Sequence, residues 1–191
     1  MAAKTKSQLA DKFSGPSSLL YQSAVLKITE GADGTKTFTA SPELDVPCKV
    51  DSLNFEQGEA EVEEYKVIGL SGAWITDSEP GDIDLGFRVP SLSEDILKLA
   101  FGEDAVSSIT GKVDDVDYEG LALILKNKKV QGTWMIVNSA KDRIMVINNT
   151  ALFASLVLDS DAKGVIAVDF NGSIETDGTN PDVIFLKKKS A

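Results

Sequence analysis

The sequence predicts a mainly β protein, with a β-sandwich or barrel-like fold and one α-helix on its flank. The clearest β signal spans residues 82–89, where polar residues alternate with Ile83, Leu85, Phe87 and Val89. Such alternation is typical of a strand with one buried face and one solvated face. Short apolar runs that suit buried strands, and one well-specified helix pattern, point to the same fold class.

Further strands are predicted on both sides of this one. An early strand is expected at residues 25–28, and a late one at 165–174, where Ile166 should share the buried face. The glutamate-rich stretch 56–70 suits a helix by propensity, but its neighbours are strands, so we predict a strand there. Three nearly continuous apolar runs predict strands that are buried on both faces: residues 133–137, 144–147 and 152–158.

One helix is predicted to begin at Ser91. Ser91 and Glu94 have the spacing of a capping box, in which each side chain bonds the other residue's backbone amide. Leu92 and Ile96 follow at helical spacing, and Gly102 is placed to stop the helix. The apolar stripe of this helix is expected to cover an open side of the sheet.

Composition divides the chain into three parts. Residues 1–24 are predicted to be a polar N-terminal arm, in which Leu9 and Phe13 are candidate contacts with a neighbouring subunit. Residues 25–186 form the β domain, and residues 187–191 form a basic tail. No apolar run approaches the ~20 residues that span a membrane, and the first residues do not resemble a secretory signal. We therefore expect synthesis in the cytoplasm and no membrane partner.

Charge and residue types narrow the function classes. The 191 residues carry a formal net charge of −11, which disfavours sequence-reading DNA or RNA binders. The chain has no histidine, the commonest proton shuttle and metal ligand. Its single cysteine, Cys48, can form neither an intrachain disulfide nor a thiolate zinc site. The acidic stretches 114–117 and 159–164 are interpreted as solvated turns. We expect no catalytic residue, no metal and no cofactor.

The order of features along the chain suggests a family. Residues 53–55 (LNF) lead into an acidic segment, and residues 81–90 (GDIDLGFRVP) run into a short helix. A late strand ends in residues 168–174 (VDFNGSI). This order, over residues 25–186, resembles that of a tailed-phage major tail protein, the subunit of the tail tube.

The resemblance implies a virion protein with copies of itself and other tail proteins as partners. Six copies form a ring, rings stack head to tail, and DNA passes through the pore without specific binding. Such a ring would carry 6 × −11 = −66 formal charges, and a negative wall repels phosphates so that DNA slides. The candidate residues for this acidic wall are Glu56, Glu59, Glu61, Glu63, Glu64, Asp82, Asp84 and Arg88.

Several alternatives stay open at this point. The acidic residues also fit an ordinary solvated outer surface. The basic residues Lys187, Lys188 and Lys189 are candidates for a contact with the glutamate cluster of the next copy. Another β-rich virion component, such as a capsid-decorating or collar protein, fits the same composition. A soluble ligand- or carbohydrate-binding β-sandwich is disfavoured, because the alternating strands present no row of aromatic residues.

Overall fold

A computed structural model describes residues 13, 15–66, 68, 71, 73–79, 81–159 and 164–189, with the backbone alone at 50, 61, 66, 73–79 and 159. Most of this chain is strand, and the main sheet curls into a half-barrel. One α-helix is present in the described ranges, so the mainly β fold with one helix is confirmed. No helix in these ranges is both long and apolar enough to cross a membrane.

The elements follow one another in chain order. The strands are β1 (Pro16–Gln22), β2 (Thr29–Glu30), β3 (Lys36–Thr37), β4 (Leu44–Val46), β5 (Asn54–Gln57), β6 (Glu61–Lys66), β7 (Ala73–Glu79), β8 (Ile83–Val89), β9 (Val106–Val113), β10 (Val116–Leu123), β11 (Lys129–Asn138), β12 (Arg143–Asp159), β13 (Val165–Ile174) and β14 (Val183–Lys187). Helix α1 spans Glu94–Phe101, and 3₁₀ turns span Val50–Ser52 and Glu103–Ala105.

The main sheet has the strand order β4-β1-β11-β12-β13-β8-β5, and β14 also pairs with β12. β12 is the central strand. Its first part, from Arg143 to Ile147, pairs with β14, and its second part, from Thr150 to Asp159, pairs with β13. Asn149 stands between the two parts in the left-handed region, with φ of 48°. The sheet therefore divides at this residue, and β14 and β13 occupy successive stretches of β12.

An aromatic cluster fills the main core. Trp134 of β11 is fully buried, and its ring lies 4.7 Å from the rings of both Tyr21 and Phe87. Phe87 of β8 stacks on Phe170 of β13 at 5.1 Å. These contacts join β1, β11, β8 and β13, which are not all neighbours in the sheet. The curvature of the sheet therefore brings distant strands onto one core.

Two strongly patterned strands are confirmed. On β8, Leu85, Phe87 and Val89 are buried while Asp84 is exposed, as the alternation predicts. β11 is buried at every position from 132 to 136, which matches its continuous apolar run.

Helix α1 is confirmed, but its predicted N-terminal cap is wrong. The helix begins at Glu94 with Ser93 as N-cap, and the Ser93 side chain makes no capping hydrogen bond. Ser91 lies outside the helix, where its hydroxyl accepts a hydrogen bond from the Ser93 amide at 3.3 Å. This local turn takes the place of the capping box, and Leu92 is left exposed. Gly102 ends the helix as predicted, with φ of 109°.

Two predictions near the N-terminus are wrong. Residues 16–22, assigned to the arm, form β1, which pairs with β11 and β4 and buries Tyr21. Residues 25–28, predicted as a strand, lie outside any strand. The side chain of Asn148 accepts from the Leu26 amide at 2.9 Å and donates to its carbonyl at 3.2 Å. A buried side chain thus satisfies the backbone groups that a strand partner would otherwise bond.

The prediction that residues 152–158 are buried on both faces is also wrong. Leu152 is fully buried, but Leu158 is 68% exposed. Ile166, predicted to share the buried face of β13, lies opposite Leu158 and is 48% exposed. The β12–β13 ladder continues past the buried Val168 and Ala167, so its final pairs, Leu158 with Ile166 and Asp159 with Val165, extend beyond the core.

Candidate assembly surfaces

The solvated face of β5 and β8 collects three of the predicted wall residues. The register places Glu56 directly opposite Asp84, and both are exposed. Arg88, on the same face of β8, donates two hydrogen bonds to the carboxylate of Asp169, at 2.6 and 2.8 Å. This bidentate pair is neutral as a unit. Glu56 and Asp84 therefore keep the nearby face acidic, while Arg88 fixes β8 to β13.

Gly86 forms the floor of a shallow polar depression of about 470 Å³ on this face. It lies between Asn54 of β5 and Asn171 of β13. A Cβ at this position would come within 2.7 Å of Asn171 Oδ1, so the Asn171 side chain would have to move if Gly86 were replaced. The rim of the depression offers amide and carboxylate groups to solvent. Within the described ranges, no group of three or more Cys, Asp or Glu residues is arranged to hold a metal ion.

Most of the other predicted wall residues lie in a separate element or directly before it. β6 and β7 form a two-stranded hairpin between β5 and β8. Glu63 and Glu64 of this hairpin are exposed, and so is Glu59, which precedes it. Asp82 is also exposed but continues the β5–β8 ladder, because the Gly58 amide donates to its carbonyl at 2.8 Å. The side chain of Glu61 lies outside the described residues. The predicted acidic cluster is therefore divided between a sheet face and a hairpin.

A second two-stranded hairpin, β9–β10, has one apolar face that remains exposed in the described part of the chain. Eight residue pairs join the two strands, and neighbouring pairs point to opposite faces. On one face, four large apolar side chains are each more than half exposed: Ile109, Val113, Val116 and Tyr118. Large exposed apolar patches mark contact surfaces. An isolated two-stranded hairpin is at best marginally stable in water, so a partner surface would stabilise it.

The opposite face and the tip of the β9–β10 hairpin are charged. Lys112 lies opposite Asp117 on the polar face. The two-residue turn consists of Asp114 and Asp115, with φ of 47° and 62°. Positive φ at both positions defines the turn type that matches the twist of a hairpin, and aspartate tolerates it better than most residues. Together with Glu119, these residues give the outer half of the hairpin a net negative charge.

The end of the β12–β13 hairpin provides another exposed apolar strip. Leu156, Leu158 and Ile166 lie on the same side of this ladder as the buried Val168. The strip is therefore a continuation of the core face into solvent.

β14 brings the predicted basic tail beside a second basic segment. Lys187 lies directly opposite Arg143 of β12, and the Lys188 amide donates to the Asp142 carbonyl at 2.8 Å. Directly opposed residues of an antiparallel pair share a face, so Lys187 and Arg143 lie side by side. Phe185, two residues earlier on the same face, is 72% exposed. Basic and aromatic groups thus meet on one face of β14, which pairs with β12. We call the surface formed by Phe185, Lys187 and Arg143 the outer edge of β14.

Three further residues singled out from the sequence have surroundings that indicate no site. Leu9 lies outside the described residues, and Phe13 is exposed. Cys48 is half-buried, and its burial raises the pKa of the thiol. A raised pKa lowers the thiolate fraction that a nucleophilic cysteine needs at neutral pH.

Sequence reasoning missed the β9–β10 hairpin and the basic edge. The hairpin had a readable signal, because apolar residues alternate on both sides of Asp114 and Asp115 in the sequence. The pairing of Lys187 with Arg143 had no such signal, since 44 positions separate the two residues (187 − 143). Only the fold brings these cations together.

Comparison with protein-family models gave no match, and comparison with curated proteins gave none either.

Proposed function

We propose that this chain is a structural subunit that assembles with copies of itself into a tube. The tube is of the kind formed by tailed-phage major tail proteins, with stacked six-membered rings and a pore for DNA. The observation that carries the proposal is the uncovered apolar face of the β9–β10 hairpin. The resemblance in the order of sequence features gives the assembly its identity as a tail tube.

The number of exposed apolar elements supports assembly with several neighbours. The β9–β10 face, the end of the β12–β13 hairpin and the region around Phe185 lie on different strands of the fold. The β9–β10 face presents four large apolar side chains, far fewer than the ~20–30 residues that each partner contributes to a standard interface. One such patch is too small for a tight dimer. Several patches, each with its own neighbour, suit a ring or a tube.

The polar face of β5, β8 and β13 is our candidate for the pore wall. Glu56 and Asp84 keep it acidic, and the Arg88 guanidinium is held by Asp169. An arginine held in a bidentate pair offers a passing phosphate fewer donors than an unpaired one. A wall with this composition repels DNA and lets it slide.

Negative-stain microscopy and sedimentation velocity of the purified chain test the proposal. Long hollow tubes, or rings that stack as the concentration rises, are the expected result. Particles that stay monomeric at every concentration would overturn it. Closed trimers or single rings that never stack would favour a capsid-decorating or collar protein instead.

A pair of variants ties the result to the apolar face. Val113→Thr/Val116→Thr keeps β-branched side chains, so strand propensity is retained while the face becomes polar. We expect this variant to lose assembly. Ser108→Thr/Thr110→Ser, on the opposite face of the same hairpin, is the matched control and should assemble normally.

A further inference from the structure

We propose that the β9–β10 hairpin of one copy docks on the outer edge of β14 in a second copy. The acidic tip of the hairpin lies against the basic end of this edge, and its apolar face lies against Phe185. This inference rests on the proposed self-assembly and specifies one of its contacts.

The hairpin supplies the acidic partner. From Lys112 to Glu119 it carries one lysine and four carboxylates, so its net formal charge there is −3. The carboxylates are Asp114, Asp115, Asp117 and Glu119, and all four are exposed. The apolar face that starts beside this tip makes the hairpin a surface with both apolar and acidic character.

The edge of β14 supplies the basic partner. Lys187, Lys188 and Lys189 are exposed at the end of the strand, and the register sets Arg143 beside Lys187. Exposed Lys141 precedes this segment. Five of the 19 basic residues therefore lie in two segments that the β12–β14 pairing brings together.

The two surfaces match in both of their properties. Phe185 is 72% exposed and lies two residues before Lys187 on one face. The acidic turn and the flanking Val113 and Val116 have the same arrangement, with charge at the end and apolar groups beside it. Opposite charges across an interface select the partner and set its register. The contact joins unlike surfaces, so each copy can give its hairpin to one neighbour and its edge to another.

A second copy fits the basic edge better than nucleic acid does. DNA approaching this edge meets the field of a chain with net charge −11, which opposes binding. A neighbouring copy presents its carboxylates locally, on a projecting hairpin with a matching apolar face.

Two charge-reversal variants test the contact. Variant H is Asp114→Lys/Asp115→Lys, which makes the tip of the hairpin positive; Lys141, with φ of 54°, shows that this fold accommodates a lysine at positive φ. Variant E is Lys187→Glu/Lys188→Glu/Lys189→Glu, which makes the edge negative, because three glutamates and Asp142 then face only Lys141 and Arg143. Each alone brings like charges together, and we expect the concentration needed for assembly to rise at least ~10-fold. A 1:1 mixture should recover assembly, because each variant then offers the other a complementary surface.

The outcomes separate this inference from the proposed function. If the wild-type chain never assembles, the proposed function fails and the inference with it. If H and E assemble as readily as the wild type, the inference is overturned while the function stands. If both fold by circular dichroism and fail alone, but their mixture also fails, the inference is again overturned. Binding of a DNA duplex that variant E loses, with assembly unaffected, would assign the edge to nucleic acid instead.

Discussion

Replacing Phe170 with alanine measures how strongly the aromatic cluster stabilises the curled sheet. Phe170 is fully buried, stacks on Phe87 at 5.1 Å and lies 6.0 Å from the Trp134 ring. Loss of a buried phenylalanine costs about 3–5 kcal/mol in transfer and cavity energy. The two ring contacts put this residue at the upper end of that range. Since domains are stable by about 5–15 kcal/mol, the free energy of unfolding should fall by a large fraction.

Urea denaturation followed by far-ultraviolet circular dichroism measures this loss, at concentrations where the chain is monomeric. Phe153→Ala is the matched control, because Phe153 lies on the adjacent strand but is half exposed. Its effect should stay within about 0.5–1 kcal/mol. A Phe170→Ala loss below about 1.5 kcal/mol, or one equal to that of the control, would refute the view that this cluster is the centre of the core.

Two further predictions concern backbone contact and pH. A Cβ at Gly172 would lie 2.1 Å from the Ala151 carbonyl oxygen, so Gly172→Ala should destabilise by at least about 1–3 kcal/mol in urea titrations. A Cβ at Gly111 would meet no atom within 4 Å, so Gly111→Ala should change the free energy of unfolding little. Equal losses of stability in the two variants would contradict this prediction. Burial, with a smaller contribution from Glu43, raises the pKa of Tyr21 to about 12. The pKa of tyrosine in the unfolded chain is about 10. The stabilisation that comes from keeping Tyr21 protonated in the fold is therefore fully present below pH ~10, and it is lost as the pH rises towards 12. The free energy of unfolding of Tyr21→Phe should not show this decrease between pH ~10 and 12. Wild type and variant with the same pH dependence in this range would contradict the prediction.

Local sequence patterns were sufficient to predict a strand or helix whose apolar residues all pack on the core. β8 was predicted because every second residue in it is apolar and faces the core. Residues 133–137 of β11 were predicted because they form a nearly continuous apolar run, and the structure covers both of their faces. The body of α1 and its stop at Gly102 were predicted for the same reason. Alternation and helical spacing are short-range patterns, and they predict burial correctly when the apolar face packs on the core.

The failures have a common physical cause, which is dependence on distant residues. Leu26 is held by Asn148, 122 positions away, so its own sequence could not reveal the conformation. Leu158 and Ile166 carry the pattern of buried residues but extend past the core. An apolar pattern predicts that a face will be covered without saying which chain covers it.

The candidate site was predicted in part for the same reason. The alternation on β8 placed Asp84 and Arg88 on one face, and the register adds Glu56 beside them. The partner of Arg88, Asp169, lies 81 positions away on β13. Charge pairing between distant strands leaves no periodic signal. The sequence therefore placed Asp84 and Arg88 on one face of β8 but carried no sign that Asp169 binds Arg88.

Net acidity and self-assembly are in conflict unless charge is segregated on the surface. Two copies at −11 repel each other at distances up to about 10 Å at ordinary ionic strength. Two hairpin tips that carry Asp114 and Asp115 would repel most strongly of all, which disfavours a symmetric hairpin-to-hairpin dimer. A tip against the end of β14, where Lys187 and Arg143 lie side by side, turns the same charges into attraction. Because the two surfaces differ, such a contact is head-to-tail. Repeating it forms a closed ring if the rotation between successive copies adds up to a full turn, and an open helical filament if it does not. Segregated charge therefore favours rings and stacks over isolated dimers.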